Sequence, residues 1–278
     1  MMRFALVLAV FGTACSSGTE TAAPEAPAVE EAEKKGPEVA PVAPVTPDST
    51  GLVPSILETQ AALKTSGVDT ELATLTKNRA YDLTADAPDR AAVRTGVVLA
   101  DMLLTVENSE KDRLLAQLGT LRKGMQQLNG GNDIDATLAE YEEQIKTDAI
   151  SREKLLADFD RISGAVIPEL TFNGNERVVP LITAGSWLEG TNLVAQAIKD
   201  VPAEKRGDAD KLLKAPPVVD YFSQYVADEG ADKAPEPVVA QLKTTLGTLS
   251  ELAKKAEPLT DEELEQVAKA TGDVLSLL

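Results

Sequence analysis

Histidine is missing from all 278 residues, and cysteine occurs once, at Cys15. Without imidazole there is no Ser-His-Asp or Cys-His catalysis, no histidine proton shuttle and no metal site that needs a histidine ligand. A single thiol excludes a CxxC redox pair, a zinc knuckle and an intramolecular disulfide. Aromatic residues are scarce as well, at 4% of the chain against 43% hydrophobic residues, so Leu, Val, Ile and Ala have to fill the interior. Helices packed through aliphatic seams suit that composition. Positive charge is the remaining shortage: 27 Lys and Arg face 45 Asp and Glu, a net charge of -18. A field of that sign repels nucleic-acid phosphates and anionic lipid headgroups, so nucleic acid is not an expected partner and membrane attachment needs another cause.

The N-terminus supplies such a cause. Arg3 precedes an apolar run from Phe4 to Phe11, and Gly12, Thr13 and Ala14 lead into Cys15. Charge, apolar core and small residues in that order predict a secretory signal over residues 1–14. The run is about half of the ~20 residues that span a bilayer as a helix, so cleavage is expected rather than a permanent span. The string GTAC resembles the lipobox of bacterial lipoproteins, with Gly12 where that pattern usually has Leu. The resemblance implies diacylglycerol on the Cys15 thiol and acyl chains, palmitate among them, in the bilayer; a plain signal peptide cut nearby is the alternative. Ser16-Ser17 after the cysteine is similar to the outer-membrane sorting pattern, which implies a periplasm-facing anchor. Residues 15–50, as in EAPAVEEAEKKGPEVAPVAPVTP, have almost no large apolar residue and predict a disordered Ala/Pro/Glu-rich linker.

Residues 51–278 read as an all-α domain, a multi-helix bundle, with a short α-solenoid of helical hairpins as the alternative. Pro54 begins a short helix closed by Gly67, and a second is expected over Glu71–Leu83. Asp86-Ala87-Pro88 opens a longer one, to Val106, with a capping side chain and an early proline. Leu114, Leu118, Leu121, Met125 and Leu128 alternate by four and three up to Gly130-Gly131, the seam of a bundle helix. Ile134, Leu138, Tyr141 and Ile145 repeat it, and Leu155, Phe159 and Ile162 follow behind a cap at Ser151. A helix over Glu176–Asp200 carries Pro180 near its start, and Pro216-Pro217 separates two shorter ones. Val239, Leu242, Leu246, Leu249 and Ala253 form a further seam. Thr260 and Glu263 make a capping box for a last helix with Leu264, Val267, Thr271 and Val274 inward.

The acidic clusters have plain explanations. Glu140, Glu142 and Glu143 surround a core tyrosine on a helix whose successive side chains point about 100° apart, which makes them a solvated face rather than paired catalytic carboxylates. Asp261, Glu262 and Glu263 complement a helix N-terminus. Asn132-Asp133-Ile134-Asp135 has oxygen ligands near two glycines but lacks the Gly and bidentate Glu positions of a calcium loop. The expectation is no catalytic residue, no metal and no cofactor.

Two segments stand apart: RTGVVLAD, Arg94–Asp101, and GSWLEG, Gly185–Gly190. They resemble paired motifs in uncharacterised all-α lipoproteins of bacterial envelopes, which implies fold and compartment and no assigned activity. Gly96, Gly185, Trp187 and Gly190 are the motif core. On a helix Arg94 and Asp101 share a face, continued by Thr105 and Asn108, and Gly185, Glu189, Asn192 and Gln196 make a similar stripe. Small residues four apart, Gly96 with Ala100 and Ser186 with Gly190, permit close helix approach. The expectation is a structural polar contact among Arg94, Asp101 and Glu189; solvated stripes are the alternative. Trp187, turned about 200° from Glu189, is expected in the core.

Function on this reading is non-enzymatic: an anchored envelope protein whose helical domain binds a protein partner or a small ligand. The alternative is a carboxylate-only hydrolase, as glycosidases can be, which needs two inward acids about 5 to 10 Å apart across a cleft.

Overall fold

A computed structural model describes residues 52–68, 72–76, 83, 87–159, 170, 173–174, 176–229 and 236–278. The chain divides into Met1–Val45 and Thr46–Leu278, and the described residues all lie in the second unit. The expectations for the leader, for Cys15 and for the linker fall outside the described residues, as do Asp86 and Ile162.

The unit is an all-α multi-helix bundle, with no strand among the described residues. Helix α1 (Ile56–Thr65) starts at Ser55, whose hydroxyl accepts from the Glu58 N–H while the Glu58 carboxylate accepts from the Ser55 N–H. Of the helix expected over Glu71–Leu83, the described residues show α2 at Leu72–Leu75 and a turn at Thr76, whose carbonyl and hydroxyl both accept from Arg113; Glu71 and residues 77–82 lie outside the described residues. Helix α3 (Pro88–Thr105) starts at Ala87, with Pro88, which has no N–H to satisfy, in its first turn; the capping side chain expected at Asp86 lies outside the described residues.

Helix α4 (Lys111–Gln127) ends where the Leu128 N–H returns to the Gly124 carbonyl and Asn129 turns left-handed at φ 52°. Gly131, at φ 86°, sits in a conformation that side-chain-bearing residues rarely adopt and so turns the chain into α5 (Asn132–Lys146). Residues 152–159 form α6, where Ser151 Oγ accepts from the Lys154 N–H as a cap. A 3-10 turn (Glu176–Val178) leads into α7 (Val179–Ile198), slightly shorter than expected. Then come α8 (Ala203–Leu213), kinked at Gly207, α9 (Pro216–Glu229), α10 (Glu236–Ala253) and α11 (Asp261–Leu277). The Thr260–Glu263 capping box of α11 is present, and its four buried residues are Leu264, Val267, Thr271 and Val274.

Helices α3 and α7 pack against each other most extensively and form the spine. On one side α4 lies on α3 and α5 on α4; on the other α11 lies on α7, α10 on α11 and α9 on α10. Helix α1 touches α8, α3 and α7. Pairs such as α3 with α7 and α1 with α8 are far apart in sequence, which a solenoid of neighbouring hairpins does not produce. The aliphatic seams meet in two clusters, one around Leu114, Leu118, Leu138 and Phe159 and one around Trp187, Phe222, Leu249 and Val267. Each fully buried leucine there contributes about 1.5–3 kcal/mol of transfer free energy.

Arg206 is a buried fastener of the second cluster. Its guanidinium donates to the carbonyls of Lys199, Val201 and Leu259 and to the Asp261 carboxylate, tying the end of α7 and the start of α8 to the start of α11. Supplying a charge with four acceptors is what makes its burial tolerable.

Candidate functional site

The two singled-out motifs meet at the α3–α7 crossing. A Cβ on Gly96 would stand 2.8 Å from Ser186 N and closer still to the Ile182 carbonyl oxygen. One on Gly185 would stand 3.1 Å from Val97 N and closer still to the Val93 carbonyl oxygen. The contact is reciprocal: each glycine faces the other helix three residues before, and one residue after, the opposing glycine. The closest approach is thus Gly96 with Gly185, whereas a Cβ on Gly190 would reach only Leu104, at 4.0 Å. Arg177 and Asp89, 2.6 Å apart, link the starts of the two helices, so α3 and α7 run in the same direction.

The polar residues of the motifs have these positions. Asp101 and Glu189 are wholly buried and Arg94 is half-buried. Asp101 faces α4, where it accepts from Gln117 Nε2 at 3.1 Å and lies 3.5 Å from the Arg113 guanidinium. Arg94 Nε donates to the Leu278 carbonyl at the end of α11. Thr105 is buried and returns its hydroxyl to the Asp101 carbonyl, whereas Asn108 is exposed. Farther along α7, Asn192 donates to the Ala268 carbonyl and the Thr271 hydroxyl and accepts from Gln196. The α3 stripe therefore reaches α4 and the end of α11, and the α7 stripe reaches α11.

Trp187 is buried and stacks on Phe222 of α9, with ring centroids 4.9 Å apart. Beside this pair lies a partly open cavity of about 90 Å³, lined almost entirely by apolar side chains from α3, α7, α9, α10 and α11 and by Leu278 just beyond it, among them Val93, Leu181, Leu188, Val239 and Leu246. Its ionic lining is Asp89 and Arg90. Arg90 donates to the Leu277 and Leu278 carbonyls at 2.6 and 3.1 Å, and Asp89 accepts from Arg177. Sequence reasoning placed Trp187 inside but missed Arg90 and the α9–α11 wall. The one available signal was that Arg90 precedes Arg94 by four and so shares its helical face.

The acidic segments have local roles. The Asp135 carboxylate takes Arg122 at 2.6 and 2.8 Å and Gln126 at 2.6 Å, and the Arg122 guanidinium holds it below the usual carboxylate range. Glu142 is lowered by its hydrogen bond to Lys146, with Arg122 adding to this, and Tyr141 beside it is buried against Phe159. Glu263 is lowered first by Lys255 and then by the Thr260 N–H of its capping box.

No helix among the described residues is long and apolar enough to cross a membrane. The chain matches no protein-family model, no curated protein and no solved structure.

Proposed function

We propose that this is a non-enzymatic lipoprotein of the bacterial envelope, anchored through acylated Cys15, whose helical domain binds a small apolar ligand in the cavity beside Trp187 and Phe222. The cavity carries the reading. Ligand sites are concave, mostly apolar and furnished with few polar groups, and this one has Trp187, Phe222 and Arg90 in its lining. Set against the roughly 150 Å³ that holds benzene's six carbons, 90 Å³ admits about four heavy atoms. Burying roughly four carbons at about 0.8 kcal/mol each gives about 3 kcal/mol, a Kd of the order of 1–10 mM.

The anchor rests on the GTAC resemblance and on the likeness to envelope lipoproteins, and it places the domain on the periplasmic side of the outer membrane, held off the lipid by the linker. A protein partner stays secondary because a cavity of this size fits one side chain at most. The carboxylate-only hydrolase is disfavoured: of the two acids it needs in a cleft, the lining supplies Asp89, whose carboxylate is engaged by Arg177.

Trp187 is the only tryptophan in the chain; its ring also borders a smaller cleft beside Val53, Thr59 and Leu213, which Val239 and Leu242 do not line, so variants at those two positions tell the cavities apart. A brominated alkane of two or three carbons should quench it saturably, and Val239→Phe or Leu242→Phe, each filling the space, should abolish the saturable part. Quenching that stays linear in the wild type and unchanged in both variants means that nothing enters, and the ligand reading fails.

A further inference from the structure

Two asparagines of the chain precede a glycine, Asn129 and Asn173, and the fold holds the two pairs in opposite ways. In such a pair the glycine has no side chain to keep its backbone nitrogen away from the amide carbon of the asparagine. We propose that Asn173 is a site of spontaneous deamidation, passing through a cyclic imide to isoaspartate and aspartate, and that the end of α4 protects Asn129 from the same chemistry.

Water is the only co-reactant. The Gly174 nitrogen gives up its proton and attacks Asn173 Cγ; a C–N bond forms, closing a five-membered imide, and the side-chain nitrogen leaves with that proton as ammonia. Water then adds to one of the two imide carbonyls and breaks its C–N bond. Opening at Cγ gives aspartate, and opening at the main-chain carbonyl gives isoaspartate, with the backbone rerouted through the former side chain. One water is consumed, one ammonia is released, and nothing is oxidised or reduced. Either product adds a negative charge to the -18 of the chain, shortly before the 3-10 turn that starts α7.

The geometry separates the two sites. Asn173 and Gly174 are both exposed in a turn, Gly174 lies at φ 74°, and nothing stands within 4 Å of where its Cβ would be, so the side chain and the nitrogen have room to close the ring. Gly130 is buried, and its N–H donates to the Met125 carbonyl at 2.8 Å. A Cβ there would stand 3.1 Å from that oxygen and 3.4 Å from Met125 Cβ. Ring closure at Asn129 therefore has to break the hydrogen bond that finishes α4, and it waits on local unfolding. The other described asparagines are held too. Ser109 N, after Asn108, donates to the Thr105 carbonyl at 2.9 Å, and Asn132 and Asn192 are followed by helical residues of α5 and α7.

The test ages the full chain in mildly alkaline buffer, which favours loss of the amide proton, and samples it over days by tryptic digestion and mass spectrometry. Trypsin releases Asn173 within residues 162–177 and Asn129 within residues 124–146, so one digest reports both. Asn173 should convert at least tenfold faster than Asn129, with isoaspartate eluting separately as the larger product. In urea that unfolds the chain the two rates should come together, since both are then Asn-Gly in an open chain. Gly174→Ala should slow conversion at Asn173 at least fivefold and leave Asn129 unchanged. Equal rates at the two sites in the folded chain overturn the proposal, and so does a difference that persists unchanged in urea. Where Gly174→Ala does not fold, the folded-to-urea rate ratio at each site of the wild-type chain decides the matter.

Discussion

Gly96 of α3 and Gly185 of α7 face each other's backbone reciprocally, so that neither position has room for a single methyl group. Gly96→Ala and Gly185→Ala should each destabilise the domain by about 3 kcal/mol or more, because the obstruction is main chain and the helices have to separate to relieve it. Gly119 in α4 and Gly247 in α10 have open space around them. Alanine there should instead stabilise by about 0.5–1 kcal/mol, the ordinary helical preference over glycine. Urea unfolding of the four variants checks both signs, and destabilisation of similar size at all four positions would contradict the reciprocal contact.

Asp101 is wholly buried between Gln117 and Arg113. Asp101→Asn should cost about 2–4 kcal/mol. It leaves Arg113 without its carboxylate, and the loss stays below the upper end for a buried pair because that guanidinium is 20% exposed and keeps its bonds to Thr76. Combining it with Arg113→Leu should recover part of the loss, which a double-mutant cycle in chemical unfolding measures. Strict additivity would show that the two groups do not interact.

The contribution of Arg94 is separable from that of Glu189, since Arg94 holds the end of α11. Arg94→Met should raise amide exchange in the last turn of α11 before it changes exchange in α7. Glu189→Gln should act on α7, with a global loss of about 3 kcal/mol for changing a wholly buried acid. A double mutant that loses less than the sum of the two would identify the shared polar contact expected from the sequence.

Stability should fall in acid through a small set of carboxylates. Asp135, Glu142 and Glu263 are all held below their ordinary values by Arg122, Lys146 and Lys255. A carboxylate lowered in the folded state binds fewer protons there than in the unfolded chain. Its stabilisation is therefore complete above the unfolded value of about 4 and is lost as pH drops through the lower folded value. Asp135→Asn should flatten the acid limb of a thermal-denaturation profile below about pH 4 and leave the slope near pH 7 unchanged. An unaltered acid limb would show that the Arg122 pair contributes nothing there.

Membrane attachment is expected to depend on Cys15 alone. Cys15→Ala should release the cleaved chain into the soluble fraction of lysed cells, and limited proteolysis should leave a helical fragment that begins near residue 50. A variant that remains fully sedimented after cleavage, or a stable fragment retaining residues 20 to 45, would remove the anchor or the linker from this account.

Much of the secondary structure was legible because its causes lie within a few residues of each other. The Thr260–Glu263 end satisfies two backbone donors locally, and the inward residues of α4, α5 and α11 repeat with the helical period. Where a local signal was not enough, a distant partner was responsible: Thr76 turns and gives its oxygens to Arg113 of α4. Arg206 had no sequence signal, because its acceptors come from two segments about 60 residues apart, Lys199 with Val201 and Leu259 with Asp261.

By itself the sequence determined the helical class, most helix ends and seams, and the exclusion of histidine- and thiol-based chemistry, all of which follow from composition and from interactions spanning one or two helical turns. Only the tertiary structure decided which helices pair and what lies between them. Gly96 becomes indispensable because Gly185 arrives opposite it, and the cavity exists because Arg90 and Leu278, 188 positions apart, close on the same space. Helix partners are selected by shape and burial summed over whole faces, a property of the assembled surfaces that no short stretch of chain encodes.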